Sequence, residues 1–72
     1  MNEEELAPLH KCIHDMNNRL GTILAAAEML QLEQLSPKAT DRVRLIEGKS
    51  LELRDLIRDL TKHYFGSGIG SD

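Results

Sequence analysis

The chain has 72 residues, a net charge of −3, no tryptophan and a single cysteine. That length allows one small domain, and an acidic chain without a basic patch interleaved with aromatics excludes nucleic acid as an expected partner. Cys12 has no internal disulfide partner, the opening Met-Asn-Glu-Glu-Glu is acidic where a secretory leader is basic, and the uncharged run 20–27 is too short to span a bilayer, so a cytoplasmic segment without membrane contact is expected.

The first predicted element is a long helix. Asn2, with Glu5 three residues on, reads as a capping box, and Glu3, Glu4 and Glu5 suit the positive end of a helix dipole. Apolar residues then recur at Leu6, Leu9, Ile13, Met16, Leu20, Ile23, Ala27 and Leu30, spaced alternately three and four apart. That is a continuous heptad seam. Pro8 falls in the early turns, where its cost is small. The pattern stops near Gln34.

Ser36-Pro37 opens a second helix, with serine as N-cap and proline at the first helical position. Its seam runs through Ala39, Val43, Ile46, Ser50, Leu53, Ile57, Leu60 and Tyr64, and Leu45 and Leu56 widen the stripe. The many charges between these positions read as a solvated face. His63, beside Tyr64, suits the negative end of this helix. Residues 66–72, rich in glycine and serine, read as a flexible tail or linker after a helical unit over 1–65.

Two long helices joined by a short turn must run antiparallel. A lone hairpin of this kind leaves each seam with a wet side. The expected fold is therefore all-α: an antiparallel two-helix hairpin that dimerises into a four-helix bundle. A hairpin packed on other domains of a longer protein is the alternative.

With Leu6, Ile13, Leu20 and Ala27 at heptad position a, His14 and Gly21 fall at b and Asn18 at f. These three residues line one outward face at spacings i, i+4 and i+7. Asp15 follows His14 directly. A carboxylate accepting the imidazole Nδ1–H leaves Nε2 as a free nucleophile. An isolated histidine beside an aspartate is common on helices, and by spacing alone it carries no function. His10 and His14 have the i, i+4 spacing that can hold a metal, but no third ligand shares their face, so no metal is expected. Cys12 flanks the seam and reads as a packed thiol.

Residues 14–23, His-Asp-Met-Asn-Asn-Arg-Leu-Gly-Thr-Ile, resemble the phosphoacceptor motif of bacterial sensor histidine kinases. The motif belongs to their dimerisation and histidine-phosphotransfer domain. The likeness is greatest to the branch reading His-Asp-Phe-Asn-Asn-x-Leu-x-x-Ile. Ala25-Ala26-Ala27-Glu28-Met29-Leu30 and the arginine-rich second helix fit that domain too, and the likeness extends over about residues 5–65. It implies that His14 is phosphorylated, that Asp15 activates it, and that Asn18 orients the water that hydrolyses phospho-aspartate on a response regulator. Arg19 stands where many family members carry a proline that bends the helix, so a straighter helix is expected here.

The resemblance further implies a homodimer, a response-regulator receiver domain as partner, and an ATP-binding kinase domain acting in cis or in trans. Nothing in the chain resembles that nucleotide-binding domain. ATP and magnesium are expected only in such a partner, and the resemblance implies that the chain is the phosphotransfer and phosphatase half of a histidine protein kinase, catalytically incomplete alone. A purely structural dimerisation hairpin and a stand-alone phosphotransferase of a relay are the alternatives.

Overall fold

The computed structural model describes residues 2–66. Helix α1 spans Glu3–Gln31 and helix α2 spans Pro37–Phe65, each 29 residues long. Among the described residues there is no other helix and no strand. At about 1.5 Å per residue each helix is about 44 Å long. The N-terminal third of α1 meets the last turn of α2 through the rings of His10 and Phe65, 5.2 Å apart. At the other end Gln31 Nε2 donates to Glu47 Oε1. The helices are therefore antiparallel, in a slender hairpin with Cα extents of 50 × 19 × 16 Å.

Both expected N-caps are present, though of the capping box at Asn2 only the Asn2 half is formed among the described residues. Asn2 Oδ1 accepts the Glu5 N–H at 2.9 Å. Ser36 Oγ accepts the Ala39 N–H at 3.1 Å, with Pro37 as the first helical residue. Each satisfies one of the donors that a helix N-terminus leaves without a partner. Helix α1 ends at Gln31, three residues before the expected stop, and the N–H groups of Leu32 and Glu33 turn back to the carbonyls of Met29 and Leu30 at 3.1 Å each. Neither glycine nor proline marks that end, so no local residue type signals it. Helix α2 closes on Gly66, whose N–H donates to the Lys62 carbonyl at 2.9 Å and whose φ of 65° lies in the left-handed region that favours glycine. The rest of the expected tail, 67–72, lies outside the described residues.

The two seams divide into two tiers. Ile13, Leu20 and Ala27 on α1, and Val43, Ser50 and Ile57 on α2, are buried where the helices touch. Every one recurs at a seven-residue interval. The intervening seam residues are left on one open side. Ile23 and Leu30 are 44% and 38% exposed, and Ile46 and Leu53 are 48% and 47% exposed. Leu9, Met16 and Leu60, at the same register positions, are half-buried against the Ile13–Leu20–Ile57 cluster. In an antiparallel pair these positions of both helices fall on the same side, so the hairpin carries one continuous apolar face. Among the described residues five buried apolar side chains form a small core for two helices of this length.

Cys12 differs from the expectation of a packed thiol: it is exposed. It follows one residue after Lys11 and one before the buried Ile13, which turns it about 100° away from the contact with α2. No helix among the described residues is long and apolar enough to cross a membrane.

Candidate functional site

The helical register places His14 halfway along α1 on the side opposite the apolar face. Ile13 is buried against α2, and a rotation of about 100° brings the next residue to the rim of the interhelical crevice. There the two helices bound an open groove of about 550 Å³. Helix α1 contributes His10, His14, Asn17 and Gly21, with Ile13 as the floor. Helix α2 contributes Arg54, Arg58, Thr61 and Lys62.

The three residues expected to act together are distributed differently. His14 is exposed and faces the groove. Asp15 is half-buried, and its Oδ2 accepts from Lys11 Nζ at 3.2 Å. Its carboxylate is thus engaged one turn toward the N-terminus, by a lysine whose side chain is 80% exposed. A pair that exposed is weak, at most about 1 kcal/mol, and restrains the Asp15 rotamer little. Asn18 is exposed beyond the groove's lip, and its carbonyl accepts the Thr22 hydroxyl at 3.2 Å. The amide that does share the groove with His14 is Asn17, one position earlier.

His10, His14 and His63 are all exposed, so exposure alone does not single out His14. Its surroundings do. His14 is near mid-helix, across from a row of α2 cations, whereas His63 is in the last turn of α2 with its ring edge-on to Tyr64 at 4.8 Å. His10, one turn below His14, has its ring tilted against Phe65. Among the described residues no group of three or more His, Cys, Asp and Glu side chains is arranged to hold a metal ion.

Arg54, Arg58 and Lys62 are the residues that sequence reasoning passed over as a solvated face. Their spacing, i, i+4 and i+8, sets them on one stripe of α2. Only the register of the hairpin brings that stripe opposite His14. Arg19, one turn above Asp15, donates to the Asp15 carbonyl at 3.3 Å and continues the helix, with Leu20 buried beside it.

The fold and site together define an all-α hairpin with one apolar face and, on the other side, a histidine-bearing basic groove. Comparison with protein-family models, curated proteins and solved structures finds no match for the chain.

Proposed function

We propose that the chain is the phosphoacceptor and dimerisation module of a two-component signalling protein. His14 takes a phosphoryl group from an ATP-binding kinase domain and passes it to an aspartate on a response-regulator receiver domain. The observation that carries this reading is the position of His14. It stands mid-helix and solvent-facing, within the segment that resembles the phosphoacceptor motif, on the side of the hairpin away from the apolar face.

The chemistry balances as two in-line displacements. His14 Nε2 attacks the γ-phosphorus of ATP; an N–P bond forms, the P–O bond to ADP breaks, and ADP leaves. The receiver's carboxylate oxygen then attacks the phosphorus; an O–P bond forms and the N–P bond breaks, returning a neutral imidazole. Asp15, moved from Lys11 to the imidazole Nδ1–H, stabilises the positive charge that develops on the ring during attack. Asn18, displaced from His14 toward solvent, is suited to a water approaching from a docked receiver rather than to the imidazole itself.

These assignments separate the two residues experimentally. Asp15→Asn is expected to slow phosphorylation of His14 roughly a hundredfold, the scale of lost acid–base assistance. Asn18→Ala is expected to leave that rate within about tenfold, since an amide supplies no full charge, and to remove most dephosphorylation of the receiver. Both rates are measured for each variant with one sensor-kinase ATP-binding domain supplied in trans and one receiver domain. Equal damage to both rates by both substitutions contradicts the division of labour.

The apolar face supports a second copy of the chain as its cover, giving a four-helix bundle. Sedimentation at micromolar concentration is expected to show twice the chain mass of 8.1 kDa. Ile23→Glu and Leu53→Glu, each at a half-exposed position of that face, should shift the mass to a single chain. A folded monomer in the wild type, or a dimer that survives both substitutions, counts against this assembly. A purely structural hairpin shares the dimer and predicts no phosphorylation.

A further inference from the structure

The sign of the charge in the groove is opposite to that of the chain. The protein carries a net charge of −3. Yet Arg54, Arg58 and Lys62 line the groove with two histidines, and no carboxylate among the described residues does. Arg58 Nη2 donates to Asp55 Oδ1 at 2.9 Å, but that aspartate is outside the groove lining. Arg54 and Lys62 have no ion pair among the described residues. Like charges gathered along one low crevice raise the local concentration of a compact counter-ion.

The opposite wall adds room and a neutral donor. Gly21 leaves it bare, and a Cβ there would meet nothing within 4 Å. Asn17 offers an amide N–H₂. Thr61 does not compete for the anion as a donor, because its hydroxyl hydrogen is already given to the Ile57 carbonyl at 2.8 Å.

The geometry points to a phosphoryl-binding subsite: Arg54, Arg58 and Lys62 of α2 hold a phosphoryl dianion against His14. This deepens the phosphoacceptor reading and rests on it for the biological source of the group. The cations act on the group after it arrives. They neutralise the charge that follows the phosphorus onto the imidazole, and they keep the group aimed along the groove for the next nucleophile. The same cradle accepts a free phosphate ion, because the recognised chemistry is a compact dianion with three acceptor oxygens.

Two measurements test it, and neither needs a kinase. In the first, inorganic phosphate is titrated into the protein and backbone amide resonances are followed. The amides of Asn17, Gly21, Arg58 and Lys62 should shift together, in the wild type and in His14→Gln alike. The variant R54Q/R58Q/K62Q should bind at least about tenfold more weakly. A control variant, K38Q/R42Q/K49Q, removes three exposed cations elsewhere on α2 and should bind like the wild type. Circular dichroism establishes that both variants keep their helices.

In the second, the protein is phosphorylated chemically with phosphoramidate, which modifies accessible histidines without enzyme. Charge-assisted hydrogen bonds from the groove cations to the phosphoryl oxygens should shift the phosphorus resonance of modified His14 in the wild type relative to R54Q/R58Q/K62Q. Modified His63, outside the groove, should resonate alike in both.

Shifts spread evenly over all basic positions, or binding retained in the groove variant, overturn the subsite. So does a His14 phosphorus resonance that the groove substitutions leave unmoved. Groove amides that respond to a glutamate-rich peptide and not to phosphate overturn it in favour of an acidic protein surface. Phosphate binding in the groove, with a His14 that takes no label from a kinase domain, leaves the subsite standing and removes the phosphoacceptor reading.

Discussion

Ile57→Asp is expected to unfold the protein at room temperature, and Leu45→Asp is expected to leave it folded. Ile57 is 4% exposed, in the cluster with Ile13 and Leu20, and Leu45 is 60% exposed on the back of the same helix. An aspartate at Ile57 either carries a desolvated, unpaired charge or takes up a proton to avoid it. With the lost aliphatic packing added, the cost is several kcal/mol. A small helical scaffold has about 3–5 kcal/mol to lose, so the cost is decisive. At Leu45 the carboxylate stays in water, and exposed substitutions commonly change stability by less than about 0.5 kcal/mol. Far-ultraviolet circular dichroism during a thermal scan reads both outcomes. Leu20→Asp should behave like Ile57→Asp. A cooperative melt retained in Ile57→Asp would mean that the hairpin is not held by this seam.

In sequence Leu45 and Leu56 read as widening the stripe that holds Ile57, but both are exposed, at 60% and 64%, because they lie two residues after Val43 and one before Ile57, turned away from the contact with α1. The seven-residue recurrence of Ile13, Leu20 and Ala27 against Val43, Ser50 and Ile57 is the pattern the structure buries, serine included. Both N-caps were legible for a local reason: a side-chain oxygen three residues before a free N–H needs no distant partner. What the heptad could not say is which half of each seam closes within the hairpin. Leu9, Met16, Ile23 and Leu30 look as apolar as their neighbours. Leu9 and Met16 are half-buried against the core cluster while Ile23 and Leu30 stay open, because two helices present only one line of closest approach.

The site was legible in part for the same reason. A heptad places His14 outside the contact line, and His14 is exposed. It does not fix a rotamer, so it did not foresee that Asp15 reaches back to Lys11. Nor does it fix the register between helices. The pairing of His14 with Arg58 and Lys62 across one groove depends on the length of the turn between Gln31 and Pro37 and on how the seams interlock. Arg54, Arg58 and Lys62 read in sequence as ordinary solvated charge because their meaning lies on the other helix.

His14→Gln is expected to abolish phosphorylation while leaving helix content and dimer mass unchanged. Glutamine keeps a polar side chain with hydrogen-bonding capacity at an exposed position, so the fold has no reason to respond. It removes the ring nitrogen on which an N–P bond forms, and an amide nitrogen is not a usable nucleophile. The label taken up by the wild type from a sensor-kinase ATP-binding domain and ATP should be acid-labile and alkali-stable, as an N–P bond requires. In the variant it should fall to background. His10 and His63 are also exposed, so they are the natural competitors, and His10→Gln and His63→Gln should each keep the label. Label that persists in His14→Gln and disappears in His10→Gln would move the acceptor one turn down the same groove. Label absent from the wild type with every kinase domain tried, together with an intact dimer, would instead favour a structural hairpin in which His14 has no chemistry.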